Sequence, residues 1–74
     1  MFRNFFKKRP TLLLTIEQSI KLDMYYNVRY INELTLHLKK DFHATARYTL
    51  YGEYGVIITF DEDKYKTFFI LKHL

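Results

Sequence analysis

The 74-residue chain has no cysteine, no tryptophan, a single proline and two glycines. Each absence removes a class of explanation. Without cysteine there is no disulfide to staple a small domain. A chain this short buries only about 60–65% of the surface its unfolded form exposes, so its core is marginal. A metal, self-association or a partner has to make up the difference. His37, His43 and His73 show no i,i+3 or i,i+4 spacing of the kind that seats a metal on one helix face. Two glycines cannot build a phosphate-cradling loop, and the one serine, Ser19, has no histidine beside it in sequence. No metal, no cofactor and no catalysis are therefore expected. Apolar runs stay far below the ~20 residues of a membrane helix, so no membrane span is expected. The opening "MFRNFFKKRP" puts its basic residues after its apolar ones and has no apolar core of signal-peptide length. A cytoplasmic location is the expectation.

What is present is aromatic and apolar. Hydrophobic residues make up 49% of the chain, with seven Phe and seven Tyr, which is too apolar for a disordered protein. The net charge of +4 is unevenly placed. Arg3, Lys7, Lys8 and Arg9 hold four of the twelve basic residues, and no acid precedes Glu17. With those four set aside, eight basic residues face eight acidic ones, so the body is neutral. Residues 1–10 read as a flexible basic arm and residues 11–74 as a single α+β domain. Residues with AT-rich codons (Phe, Tyr, Ile, Asn, Lys) far outnumber Ala, Gly and Pro, as in genes of low-GC bacteria and their phages.

Pro10 closes the arm, and "TLLLT" reads as a short strand or packed extended segment. Thr15 and Gln18 have the spacing of a capping box that opens a helix. Ile16, Ile20, Met24, Val28, Ile31, Leu34, Leu38 and Phe42 then advance in steps of three and four, one apolar stripe at helical period. A continuous helix over that span is longer than the domain needs, and a break between Asp23 and Asn27 is expected, since both residues can cap. Tyr30 falls on the stripe and is expected in the core. Beyond Phe42 the period changes to alternation rich in Tyr, Thr, Val and Ile, predicting a hairpin of residues 45–51 and 55–60. Asp61–Lys64 reads as a polar turn, and residues 64–74 as a third strand, with a C-terminal helix as the alternative. The predicted fold is α+β: one or two N-terminal helices packed on a three-stranded antiparallel β-meander.

On the same helical wheel Leu22, Tyr25, Tyr26 and Leu36 project away from the stripe. A second apolar face is hard to bury in one small chain, and clustered exposed aromatics mark contact surfaces. These four residues are therefore expected to bind a partner and to build a homodimer, a two-fold contact needing only one self-complementary patch. The acidic Asp61, Glu62 and Asp63 join them as candidate partner-binding residues. From another class comes a small single-stranded nucleic-acid-binding module, with Arg3, Lys7, Lys8 and Arg9 on phosphates and sheet aromatics stacking on bases.

One segment carries a resemblance. In "SIKLDMYY", Leu22 is followed after two residues by Tyr25-Tyr26, the spacing of a sliding-clamp-binding peptide, although Ser19 stands where that box has glutamine. With its length, composition and lack of catalytic residues, the chain is similar to the small host-takeover proteins of staphylococcal phages. The resemblance implies a non-enzymatic inhibitor that binds a host replication protein, the ring-shaped sliding clamp, and blocks DNA loading. It also implies that, in a positively lined clamp channel, contact would fall to Asp61, Glu62, Asp63 and aromatic packing, because the chain is basic overall.

Overall fold

The computed structural model describes residues 8–50 and 52–74; Arg3 and Lys7, expected to contact phosphates, lie outside them. The elements follow as β1 (Thr11–Thr15), α1 (Ile16–Tyr26), α2 (Ile31–Phe42), β2 (Ala44–Tyr48), β3 (Tyr54–Phe60) and α3 (Asp63–His73). The fold is α+β, with three helices and a three-stranded antiparallel sheet of order β1-β3-β2. No helix among the described residues is long and apolar enough to cross a membrane.

The β2–β3 hairpin matches expectation, but the sheet is not a meander. Its third strand is the N-terminal "TLLLT", and residues 64–74 form α3 instead of a strand. β3 already has a partner on each side, so a further strand would have had to join an outer edge. The local chemistry also favours a helix there. Glu62 is the N-cap, Asp63 lies in the first turn and Lys72 in the last, charges that complement the helix dipole.

Alternation along the strands sorts the sheet into two faces. Leu14, Val56, Ile58, Phe60 and Ala44 are buried, with Leu12 and Ala46 packed against them. The register sets Leu12 and Ala46 on either side of Ile58, so these residues share the inner face. Leu34, Leu38 and Phe42 from α2, Leu22 from α1 and Phe69 from α3 close over that face. Phe69 meets Phe42 and Phe60 edge-on, with centroids 5.2 and 5.7 Å apart, a favoured arrangement for aromatic rings. The other face consists of two rows, Thr11–Thr59–Thr45 and Leu13–Ile57–Arg47.

The helix region divides as expected at Asn27, whose left-handed backbone (φ 55°) ends α1. The capping box also forms: the Gln18 amide N–H donates to Thr15 Oγ1, and the Thr15 N–H to Gln18 Oε1. The stripe does not cross the break intact. In α2 it is buried as predicted, whereas Ile16 and Ile20 of α1 are each 53% exposed and Met24 is 74% exposed. Ser19 and Leu22 are buried in their place. The cause lies beneath α1, which follows β1 without a linker and crosses β3 where the register slips between Leu14 and Thr15. A Cβ on Gly55 would stand 2.9 Å from Ser19 Oγ and 3.3 Å from Ile16 Cα, so only glycine permits this approach. The Ser19 hydroxyl is satisfied by donating to the Ile16 carbonyl at 2.8 Å. Tyr30 is likewise not a core residue. It is the N-cap of α2 and 67% exposed, and its N–H donates to Glu33 Oε1 at 3.2 Å.

Candidate functional site

The four residues expected to form one contact face are separated by the fold. Leu22, 4% exposed, is part of the core, so its assignment to a second surface is corrected: the rotation of α1 that exposes Ile20 turns Leu22 inward. Leu36 is exposed on α2. Tyr25 is exposed near the end of α1, while Tyr26 is half-buried and its hydroxyl donates to Asp41 Oδ2 at 2.9 Å. The two rings touch edge-on, 4.9 Å between centroids.

Around these tyrosines the ends of the three helices meet. His37 of α2 stacks on Tyr26 at 4.8 Å, and His73 of α3 lies 4.8 Å from Tyr25 and 4.9 Å from Phe69. Burial, the Asp41 hydrogen bond and carboxylate charge, and Tyr25 together hold the Tyr26 hydroxyl above the usual tyrosine range. Burial, and then Lys72, push His73 below the usual histidine value, against a smaller upward pull from Asp41. The buried Nε2 of His73 has no hydrogen-bond partner among the described residues, which fits a neutral ring held by packing. Nothing in the sequence spacing placed His37 and His73 here, because the cluster is assembled across three helices.

Beside this cluster a half-open groove of about 420 Å³ runs between α1 and α3. Leu14, Leu22 and Phe69 line its apolar part, Lys21 and Lys72 supply its charge, and Tyr25 borders it. Among the described residues no acidic side chain lines it. Lys72 lies 5.4 Å over the Tyr25 ring, a cation–π contact that fixes both at the lip. Lys21 pairs with Glu17 one turn earlier at 3.6 Å, a bond between two exposed groups that contributes little and is easily exchanged. The groove thus has an apolar floor of the size of a side chain and two cations at its rim.

The other candidate residues have local duties. Glu62 and Asp63 open α3, and Asp61 lies 3.9 Å from Arg9, both side chains exposed. The Asp61 amide N–H donates to the His43 carbonyl at 3.0 Å. Lys8 and Arg9 stand beside this acidic turn. The open sheet face carries threonine, leucine, isoleucine and arginine, and Phe60 points into the core. Tyr54, opposite Thr15 across the register slip, and Tyr48, 68% exposed, are the sheet aromatics that lie outside the core. Among those residues no group of three or more His, Asp or Glu side chains is placed to hold a metal ion. Comparison with protein-family models, curated proteins and solved structures gives no match to this chain.

Proposed function

We propose that the protein acts without catalysis, by binding another protein through the α1–α3 groove. The candidate partner is a host replication protein, the DNA sliding clamp, and the consequence is blocked DNA loading. The groove carries the binding part of this reading: core leucines and Phe69 reach an open surface there, framed by Tyr25, Lys21 and Lys72. Concave apolar sites with a few fixed polar groups are where ligands dock, and an exposed tyrosine is a frequent anchor of protein interfaces. The lysines select a partner segment with an apolar anchor between acidic residues.

The choice of the clamp rests on the resemblance of the chain to phage host-takeover proteins. The peptide that carried that resemblance does not act as an extended peptide in this fold, because Leu22 is buried and Tyr26 is tied to Asp41. Clamp binding here uses the folded surface, with Tyr25 as the one residue of "SIKLDMYY" that is aromatic, largely exposed and in the groove.

Titration of purified clamp from a low-GC Gram-positive bacterium, with a clamp-loading assay on primed DNA, tests both parts. Saturable binding and dose-dependent loss of loading are expected, with Tyr25→Ser weakening binding by about tenfold or more, the loss of a hot-spot side chain. Absence of binding at tens of micromolar removes the clamp as partner. Binding unaffected by Tyr25→Ser removes the groove.

A further inference from the structure

The two edges of the sheet are finished differently. The Phe60 N–H donates to the Pro10 carbonyl at 2.8 Å, which makes Thr11 and Thr59 a non-hydrogen-bonded pair. The alternation of an antiparallel ladder then turns the N–H and C=O of Thr11, Leu13 and Thr15 away from β3. Thr15 is engaged by the helix cap, its N–H donating to Gln18 Oε1 at 3.0 Å. The outward groups of Thr11 and Leu13 have no partner among the described residues. At the opposite edge the same alternation turns Ala44, Ala46 and Tyr48 outward, and at Ala46, in the middle, α2 intervenes. Thr35 Oγ1 donates to the Ala46 carbonyl and accepts from its N–H, each at 3.1 Å. A side chain takes up the middle of the β2 edge, and none does so at Thr11 or Leu13 of the β1 edge among the described residues.

The open edge also lacks the usual deterrents. β1 has no charge, no proline and no bulging residue of its own between Thr11 and Leu14, although exposed edges are normally guarded by such features. We propose that β1 pairs antiparallel with β1 of a second copy of this chain, with Leu12 opposite Leu12 on the two-fold axis. In that register Thr11 lies opposite Leu13 of the other copy. The two N–H and two C=O groups that each copy leaves open are then all used, in four interchain hydrogen bonds. Pairing ends at Thr15, where the cap already holds the backbone. Arg9 falls opposite Thr15, so no like charges are directly opposed. On the inner face Leu12, half-buried in the single chain, gains its counterpart as neighbour. The product is a continuous sheet of order β2-β3-β1-β1-β3-β2. A second copy fits better than an unrelated strand because this one register satisfies the whole edge and does so symmetrically. The helix-face dimer expected from Leu22, Tyr25, Tyr26 and Leu36 is not required, and this inference does not depend on the groove reading.

Cysteine cross-linking reads the register, because the chain has no cysteine of its own. Opposed Cα atoms of a non-hydrogen-bonded pair are about 4.5 Å apart, within disulfide reach. Under mild oxidation Leu12→Cys is expected to give a covalent dimer at least tenfold faster than Thr11→Cys, whose two copies sit a diagonal apart and beyond that reach. Sedimentation of the wild type is expected to show a dimer at tens of micromolar. Thr11→Pro, which removes one outward N–H and leaves the ladder to β3 intact, is expected to shift it toward monomer. A wild-type monomer at about 100 µM overturns the proposal, including one whose β1 amides become protected only when another protein is added. Equal cross-linking of the two cysteine variants overturns the register. Should Leu12→Cys fail to fold by circular dichroism, an unchanged dimer in Thr11→Pro overturns the proposal on its own.

Discussion

α1 and α2 are of almost equal length, eleven and twelve residues, and both carry apolar residues at helical spacing. In α2 the pattern and the burial agree: Leu34, Leu38 and Phe42 are all in the core. In α1 they disagree. Ile16, Ile20 and Met24 face outward, while Ser19 and Leu22 face the sheet. The difference teaches that a stripe reports which face a helix buries only when the supporting surface is free to accept it. α2 lies along β2 and reaches that strand through Thr35. α1 is joined directly to β1 and must cross β3 at Gly55, which fixes its rotation before side-chain hydrophobicity can act. The face that α1 turns toward α3 then becomes one wall of the groove.

Substitutions that exchange the roles of the two helices test this contrast. The largest effect is expected from Leu38→Ala in α2, fully buried, at about 2–5 kcal/mol of lost stability. Ile20→Ser in α1, an apolar deletion at the same nominal stripe, should cost no more than about 1 kcal/mol because more than half of the residue is already exposed. Urea titration of the pair measures both, and equal losses would mean that α1 buries Ile20 after all. Next comes Gly55→Ala, expected to cost about 1–3 kcal/mol, since the new methyl meets backbone as well as the Ser19 hydroxyl. A neutral result there would free α1 from the constraint described.

Smaller effects should come from the ring cluster at the helix ends. Tyr26→Phe removes the Asp41 hydrogen bond and is expected to cost about 0.5–1.5 kcal/mol. Because folding raises the Tyr26 pKa, the unfolded chain releases that proton first. Stability should therefore decline as pH rises above about 10, the unfolded tyrosine value. The Phe variant should show less of this decline in alkaline thermal melts. His73 has the opposite signature, since folding lowers its pKa. Its contribution is complete above the unfolded value of about 6.5 and is lost as pH falls from there through the folded value. His73→Leu should flatten the acid side of the stability profile, and an unchanged slope would show that His73 is protonated in the folded protein.

Much of the local structure was legible in the sequence, and most of the long-range structure was not. Thr15 and Gln18 announced the start of α1, and Asn27 its end, because caps are decided within a few residues. The hairpin was legible for the same reason. β1 as the third strand was not, since Thr11–Thr15 pairs with residues 54–59 far along the chain, and no local pattern specifies that. Residues 64–74 alternate well enough to pass for a strand. The steps Tyr65, Phe69, His73 and the charges at the two ends were the helix signals present. Of the contact residues, Tyr25 was placed correctly in the open, but Leu22 was not, its position depending on the rotation of α1. The groove lysines, Lys21 and Lys72, had no signal at all until α1 and α3 were brought side by side.

The central claim is that the groove side of α1, and not its outward Ile16–Ile20–Met24 side, is where a partner docks. Isothermal titration of the purified clamp with two variants decides between them. Lys21→Glu combined with Lys72→Glu is predicted to weaken binding by at least about tenfold, with circular dichroism unchanged, whereas Ile20→Ser combined with Met24→Ser is predicted to bind as the wild type does. The reverse pattern, binding lost on the outward side and kept in the charge-reversed groove, would contradict the account.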